Sequence, residues 1–157
     1  IKKIYDRMNA DVYFEFQNIW NANRRECCFK QWNGGIWLNK ILYFLFLKHI
    51  QQIKRALKCD QIMSKNYSWN NKNAQVDLVI DRSDDVINLC EIKFHNQEFS
   101  MDANDLKNLR NKENQFRANT RTKKGIYTSM ITTWGVNTNQ YSQAIVANNL
   151  TMHCLFE

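Results

Sequence analysis

The stretch QVDLVIDRSDDVINLCEIK, from Gln75 to Lys93, decides the fold of this chain. Two apolar runs flank Ser83-Asp84-Asp85, a tripeptide of turn-forming residues. The pattern therefore predicts a hairpin of two strands, Gln75 to Arg82 and Val86 to Phe94. Both runs are almost continuously apolar, which is typical of strands that are covered on both faces. We expect the hairpin to lie inside a sheet with packed layers on either side.

The segments around the hairpin add helices and further strands. Apolar residues at helical spacing predict a helix from Ile41 to Lys58 and another from Asp102 to Asn119, the second capped by Asp102 or Asn104. Apolar runs predict three more strands: Ile62 to Trp69, Lys123 to Trp134 and Gln143 to Ala147. The order helix, three strands, helix, strand, strand predicts an α/β fold in which a mixed sheet is flanked by helices.

The length of 157 residues suits one domain with a single core. We assign residues 41–157 to that domain. Residues 1–40 are mixed in character, and we interpret them as a helical lead-in or the remnant of an upstream region. Because the chain begins with Ile1 and not with Met, we expect it to be a fragment or a processed piece of a longer protein.

The five cysteines and three histidines show no spacing that is typical of metal ligands. The cysteine count is odd and no CxxC pair occurs, so we predict reduced thiols and no zinc site. The longest apolar run, Ile41 to Leu47, is far shorter than the roughly 20 residues that a membrane-spanning helix needs. No signal peptide is recognisable. These features predict a cytoplasmic protein without a membrane partner.

The chain carries 22 Lys and Arg residues against 15 Asp and Glu residues, a formal net charge of +7. This excess favours a polyanionic partner such as nucleic acid, although solubility alone explains it equally well. Basic residues concentrate on and after the second predicted helix. We predict that five of them contact phosphates: Arg110, Arg117, Arg121, Lys123 and Lys124. The alternative is a solvated helix face without a partner.

Three charged residues of the hairpin form a candidate active site. Side chains alternate across a strand, so Glu91 and Lys93 share one face, and the hairpin can bring Asp77 beside Glu91. Two carboxylates in close, partly buried contact repel each other, and a divalent cation such as Mg²⁺ (or Mn²⁺) is their natural partner. The sequence therefore predicts a metal site with Asp77 and Glu91 as its ligands.

These residue types suit the hydrolysis of a phosphodiester. A metal ion held by the two carboxylates lowers the pKa of a bound water and accepts phosphate oxygens. Lys93 can hold the attacking water or neutralise the charge that develops on the phosphate. An isolated Glu-x-Lys triplet is usually an exposed ion pair on a strand, but the apolar neighbours of this triplet favour a functional role.

The segment NAQVDLVIDRSDDVINLCEIKF, Asn73 to Phe94, closely resembles the C-terminal nuclease-like domain of a family of bacterial and archaeal P-loop AAA-type ATPases. The similarity extends to four further segments: HIQQIKRAL, LRNKENQFRANTRTKK, the segment around MITTWGV, and the final Leu155-Phe156. The resemblance implies a restriction-endonuclease-like PD-(D/E)XK fold with Asp77, Glu91 and Lys93 at the D…ExK positions. The P-loop motif GxxxxGK[ST] is absent, so the resemblance places any ATPase domain of the same polypeptide outside this chain.

Two positions depart from the pattern of the family. The family tends to carry an acidic residue after an aromatic one in the helix before HIQQI, and that acid can join the metal site; here Tyr43 stands in its place. The glycine that the family favours before the Asp strand is Asn73. Two functions therefore stay open: a Mg²⁺-dependent DNA endonuclease, or a catalytically inactive nuclease-fold domain that binds DNA or a protein partner for an attached ATPase. RNA in place of DNA also stays open.

Overall fold

The computed structural model describes residues 48–155. The predicted N-terminal lead-in, the first part of the helix predicted from Ile41, and Tyr43 lie outside these residues. The described elements follow in this order: α1 (Ile50–Ala56), β1 (Ser64–Asn70), β2 (Gln75–Arg82), β3 (Val86–Lys93), α2 (Ala103–Thr120), β4 (Gly125–Thr132), α3 (Gln140–Gln143), β5 (Val146–Thr151) and a 3₁₀ helix (Met152–Leu155). The predicted order of the main helices and strands is confirmed.

The five strands form one mixed sheet in the order β1-β2-β3-β4-β5. The pairs β1–β2 and β2–β3 are antiparallel, because short turns connect these strands. The turn between β2 and β3 places Asp85 in the left-handed region, with a φ of 61°. The pairs β3–β4 and β4–β5 are parallel, because α2 and α3 carry the chain back across the sheet. The hairpin thus lies in the interior of the sheet, as predicted.

Both faces of the sheet are covered, because the side chains of β2 and β3 alternate between two apolar layers. On one face Leu78 and Cys90 pack with Ile53 of α1. On the other face Leu89 packs against Phe116 of α2, whose side chain has no exposed surface. The prediction of an α/β fold with a sheet flanked by helices is therefore confirmed.

Helix α2 begins with a reciprocal cap at the predicted residue, Asp102. The Asp102 carboxylate accepts hydrogen bonds from the backbone N–H groups of Asn104 and Asp105, and the Asp105 carboxylate accepts one from Asp102 N–H. Such a cap contributes about 1 kcal/mol to helix stability and also fixes the direction of the Asp105 side chain. At 18 residues α2 is the longest helix described, and no helix in residues 48–155 is both long and apolar enough to cross a membrane.

The predicted position of the last strand, Gln143 to Ala147, is wrong. The side chain of Asn139 caps the short helix α3 and so commits the start of this segment to a helical turn. Strand β5 follows α3, and half of its six residues are polar, without the alternation that marks a strand in sequence. Its polar residues are accommodated because β5 is an edge strand, where Asn149 hydrogen-bonds both backbone groups of Val136.

Candidate active site

A β-bulge in β2 determines the environment of Asp77. Tyr67 of β1 pairs with Val79, but Trp69 pairs with Val76, so β2 contains one more residue than β1 between these two pairs. As a result Val76 packs on the same side of the sheet as Val79, against α2. Bulges of this kind redirect side chains beside functional sites, and this one lies at Asp77.

The Asp77 carboxylate is anchored to the neighbouring strand. The register of β2 with β3 runs to the pair Leu78 and Cys90. Beyond that pair, Asp77 Oδ2 accepts a hydrogen bond from Ile92 N–H at 2.9 Å. The same register continued by one residue sets Asp77 opposite Glu91. The structure therefore brings together the two carboxylates that the strand alternation predicts to be neighbours.

Two residues of α2 make ion pairs with the candidate site. Lys112 Nζ lies 2.5 Å from Glu91 Oε2, and Lys93 Nζ lies 2.9 Å from Asp105 Oδ1. Asp105 and Lys112 are two helical turns apart, so both face the sheet together with the buried apolar residues of the helix. We call this set the inner stripe of α2: Asp105, Leu109, Lys112 and Phe116.

Lys93 is held on a second side by an aromatic ring. Its Nζ lies 4.4 Å from the ring centroid of Phe99, and His95 stacks on the same ring at 4.5 Å. Burial and the charge of Lys93 lower the pKa of His95. Burial opposes ionisation of Asp105, but the hydrogen bonds from Lys93 and from Asp102 N–H outweigh it and lower the pKa of Asp105. Lys93 is therefore a positioned cation with an ionised partner.

The two carboxylates of the site resist ionisation. Burial raises the pKa of Asp77, and the hydrogen bond from Ile92 N–H and the charges of Lys112 and Lys93 offset this only in part. Burial raises the pKa of Glu91 as well, and the charge of Asp77 adds to the effect. Two buried, mutually repelling carboxylates favour a nearby positive charge, which a metal ion or a lysine can supply.

A cleft of about 170 Å³ opens beside these residues, between α2 and the turn that joins β1 to β2. Glu91 and Lys93 line it together with their partners Lys112 and Asp105. The remaining lining residues are Asn73, Ala74, Asn108, Leu109 and Asn111. Asp77 does not line the cleft and acts on it through its proximity to Glu91. The cleft has room for a phosphate group with a few waters.

Asp77 and Glu91 fit the donor set that Mg²⁺ takes in proteins, namely one or two carboxylates completed by waters and phosphate oxygens. One oxygen of each is engaged, Asp77 Oδ2 by Ile92 N–H and Glu91 Oε2 by Lys112. Within residues 48–155 the second oxygen of each carboxylate accepts no hydrogen bond. In the same part of the chain, no group of three or more His, Cys, Asp or Glu side chains is arranged to hold a metal ion.

None of the basic residues predicted to contact phosphates lines the cleft. Arg110 and Arg117 each follow a residue of the inner stripe by five positions, which rotates them by about 140° around the helix axis. Both are exposed, and so are Arg121 and Lys123 beyond them. None of these four residues lines the cleft beside Glu91, so the structure gives them no contact with the candidate site.

Lys124, the last of the predicted phosphate contacts, has a partner within the fold. Its Nζ lies 2.7 Å from Asp81 Oδ1 and donates to the backbone carbonyl of Arg82 at 2.5 Å. The hydrogen bond to Asp81 raises the pKa of Lys124. Lys124 thus ties the start of β4 to the end of β2, and contact with a phosphate would require it to leave that position.

Sequence reasoning did not identify Asp105 and Lys112 as partners of the site. The signal that could have found them is their spacing from Leu109 and Phe116, which puts two charged residues on a helix stripe that is otherwise apolar. Charges in such positions are seldom left unpaired. Their partners are set by the packing of α2 on the sheet, which periodicity alone does not supply.

Comparisons with protein-family models, with curated proteins and with solved structures found no match to this chain.

Proposed function

We propose that this domain has a restriction-endonuclease-like PD-(D/E)XK fold and hydrolyses DNA phosphodiesters in the presence of Mg²⁺ or Mn²⁺. The observation that carries the proposal is the juxtaposition of Asp77 with Glu91 and Lys93 on two adjacent interior strands beside an open cleft. The resemblance of the hairpin sequence to nuclease-like domains supports the same function.

Asp77, Glu91 and Lys93 have different roles in such a reaction. Asp77 and Glu91 would hold the ion, each with one oxygen that accepts no hydrogen bond within residues 48–155. When bound there, Mg²⁺ supplies a water of lowered pKa and positive charge for the phosphate oxygens. Lys93 lines the cleft, is held by Asp105 and Phe99, and neutralises charge that develops on the phosphate.

One contact favours a second function. Lys112 already supplies a positive charge to Glu91, so the carboxylate pair has less need of a metal ion. In that case the domain binds DNA or a protein partner for an attached AAA-type ATPase. The exposed face of α2 with Arg110 and Arg117 then offers a surface for the phosphate backbone.

A cleavage assay distinguishes the two functions. The purified chain is incubated with supercoiled plasmid, linear DNA and RNA in Mg²⁺, in Mn²⁺ and in EDTA. We expect nicked or linear plasmid in either ion and intact plasmid in EDTA, because the reaction needs the charge of the bound ion. Intact DNA in all conditions, with binding that weakens as salt rises, supports the second function. Cleavage that persists in EDTA contradicts a metal-dependent site.

A further inference from the structure

Lys112, not Lys93, is the main cation of the Asp77–Glu91 pair. Its Nζ lies 2.5 Å from Glu91 Oε2, whereas Lys93 Nζ is directed to Asp105 at 2.9 Å. The contact is largely shielded from solvent, since the side chains of Lys112 and Glu91 are 22% and 14% exposed. The site that carries the proposed function thus already contains a positive charge, supplied by α2.

The packing of α2 fixes the position of the Lys112 ammonium group. Glu113, the next residue, accepts a hydrogen bond from Thr128 Oγ1 of β4 at 2.6 Å. On the other side of the helix, Gln115 Oε1 accepts a hydrogen bond from Asn71 Nδ2 at 3.0 Å. The helix around Lys112 is therefore tied to β4 and to the turn between β1 and β2, and the ammonium group meets Glu91 at high effective concentration.

We propose that Lys112 is a tethered cation that competes with divalent metal ions for the Asp77–Glu91 pair. The ammonium group carries one positive charge, whereas a divalent ion carries two and can balance both carboxylates once they ionise. Because the ion and the ammonium group repel each other at this distance, metal binding weakens the contact of Lys112 with Glu91, and that contact weakens metal binding. This inference rests on the proposed metal site and adds to it a residue that sets the metal concentration at which the site is occupied.

Binding of Mn²⁺ alone tests the proposal without relying on catalysis. The amount of free Mn²⁺ is followed by electron paramagnetic resonance as the full chain is titrated. We expect Lys112→Gln and Lys112→Met to bind Mn²⁺ at least tenfold more tightly than the unaltered chain. Lys112→Arg keeps the positive charge and should retain the weaker binding. Lys107→Gln is the matched control, because Lys107 is exposed on the same helix and its loss changes the net charge equally.

A second readout shows whether the Lys112 variants fold. In EDTA, Lys112→Gln should melt at a lower temperature than the unaltered chain, because two carboxylates then lack their main positive charge. Mn²⁺ should raise the melting temperature of Lys112→Gln more than that of the unaltered chain. Adding Glu91→Gln to this variant should abolish the rise in melting temperature that Mn²⁺ causes. That result would assign the ion to the carboxylate pair.

The outcomes separate this inference from the proposed function. Equal Mn²⁺ affinities of the unaltered chain and Lys112→Gln would overturn the role of Lys112. If Asp77→Asn then loses Mn²⁺ binding, the proposed metal site is still supported. Binding by Lys112→Gln alone supports the tethered cation and indicates that the unaltered chain is a non-catalytic domain. Absence of Mn²⁺ binding in every folded variant overturns both the inference and the metal site.

Discussion

Replacing Lys93 with alanine is expected to reduce DNA cleavage in Mg²⁺ by about 100-fold or more. The side chain lines the cleft and is held on two sides, by Asp105 at 2.9 Å and by the ring of Phe99. A cation positioned in advance stabilises charge on the reacting phosphate without further reorganisation, which is why its loss should mainly lower the rate of the chemical step. Plasmid nicking under single-turnover conditions measures this rate.

Lys107→Ala is the matched control for Lys93→Ala. Lys107 lies on the exposed side of α2, and its removal changes the net charge by the same amount. We expect Lys107→Ala to cleave at the rate of the unaltered chain, and both variants to melt as folded domains. A Lys93→Ala variant that is folded and cleaves as fast as the unaltered chain would show that Lys93 takes no part in the reaction.

Replacing Phe116 with alanine is expected to destabilise the domain by about 3–5 kcal/mol. Its side chain has no exposed surface and fills the apolar layer between α2 and the sheet, in contact with Val76, Val79 and Leu89. Trp69 also packs against the ring, edge to face at 5.3 Å. The loss is measured as a shift of the urea midpoint with an unchanged dependence of the unfolding free energy on urea concentration.

Leu106→Ala provides the comparison within the same helix. Leu106 is half-buried and belongs to none of the core clusters of the described residues, so we expect a loss of about 1 kcal/mol. Similar losses for the two substitutions would show that α2 does not pack on the sheet through Phe116. That result would also remove the basis for placing Asp105 and Lys112 beside the cleft.

The hairpin could be predicted from sequence because the residues that specify its strands and turn are close together in the chain. Continuous apolar runs on both sides of Ser83-Asp84-Asp85 set the strand bounds, and the two-residue period of a strand sets the faces of Glu91 and Lys93. The structure has β2 at the predicted residues and ends β3 one residue early, at Lys93. The neighbouring positions of Asp77 and Glu91 follow from the same period.

The bulge at Asp77 and the contacts of Lys112 could not be predicted in this way. The bulge has no glycine or proline to mark it, and it is compatible with the packing of Val76 and Val79 on the same side against Phe116. The ion pair of Lys112 joins residues 21 positions apart in sequence. Both features depend on how α2 sits on the sheet, which is a tertiary property.

The position of Mn²⁺ in crystals of this chain, located by its anomalous scattering, tests the central claim most directly. We expect crystals soaked in millimolar Mn²⁺ to show the ion within coordination distance of one oxygen of Asp77 and one oxygen of Glu91. Lys112 should have moved away from Glu91 in that state. Mn²⁺ bound elsewhere on the chain, or carboxylates of Asp77 and Glu91 directed to different faces of the sheet, would contradict the proposed site.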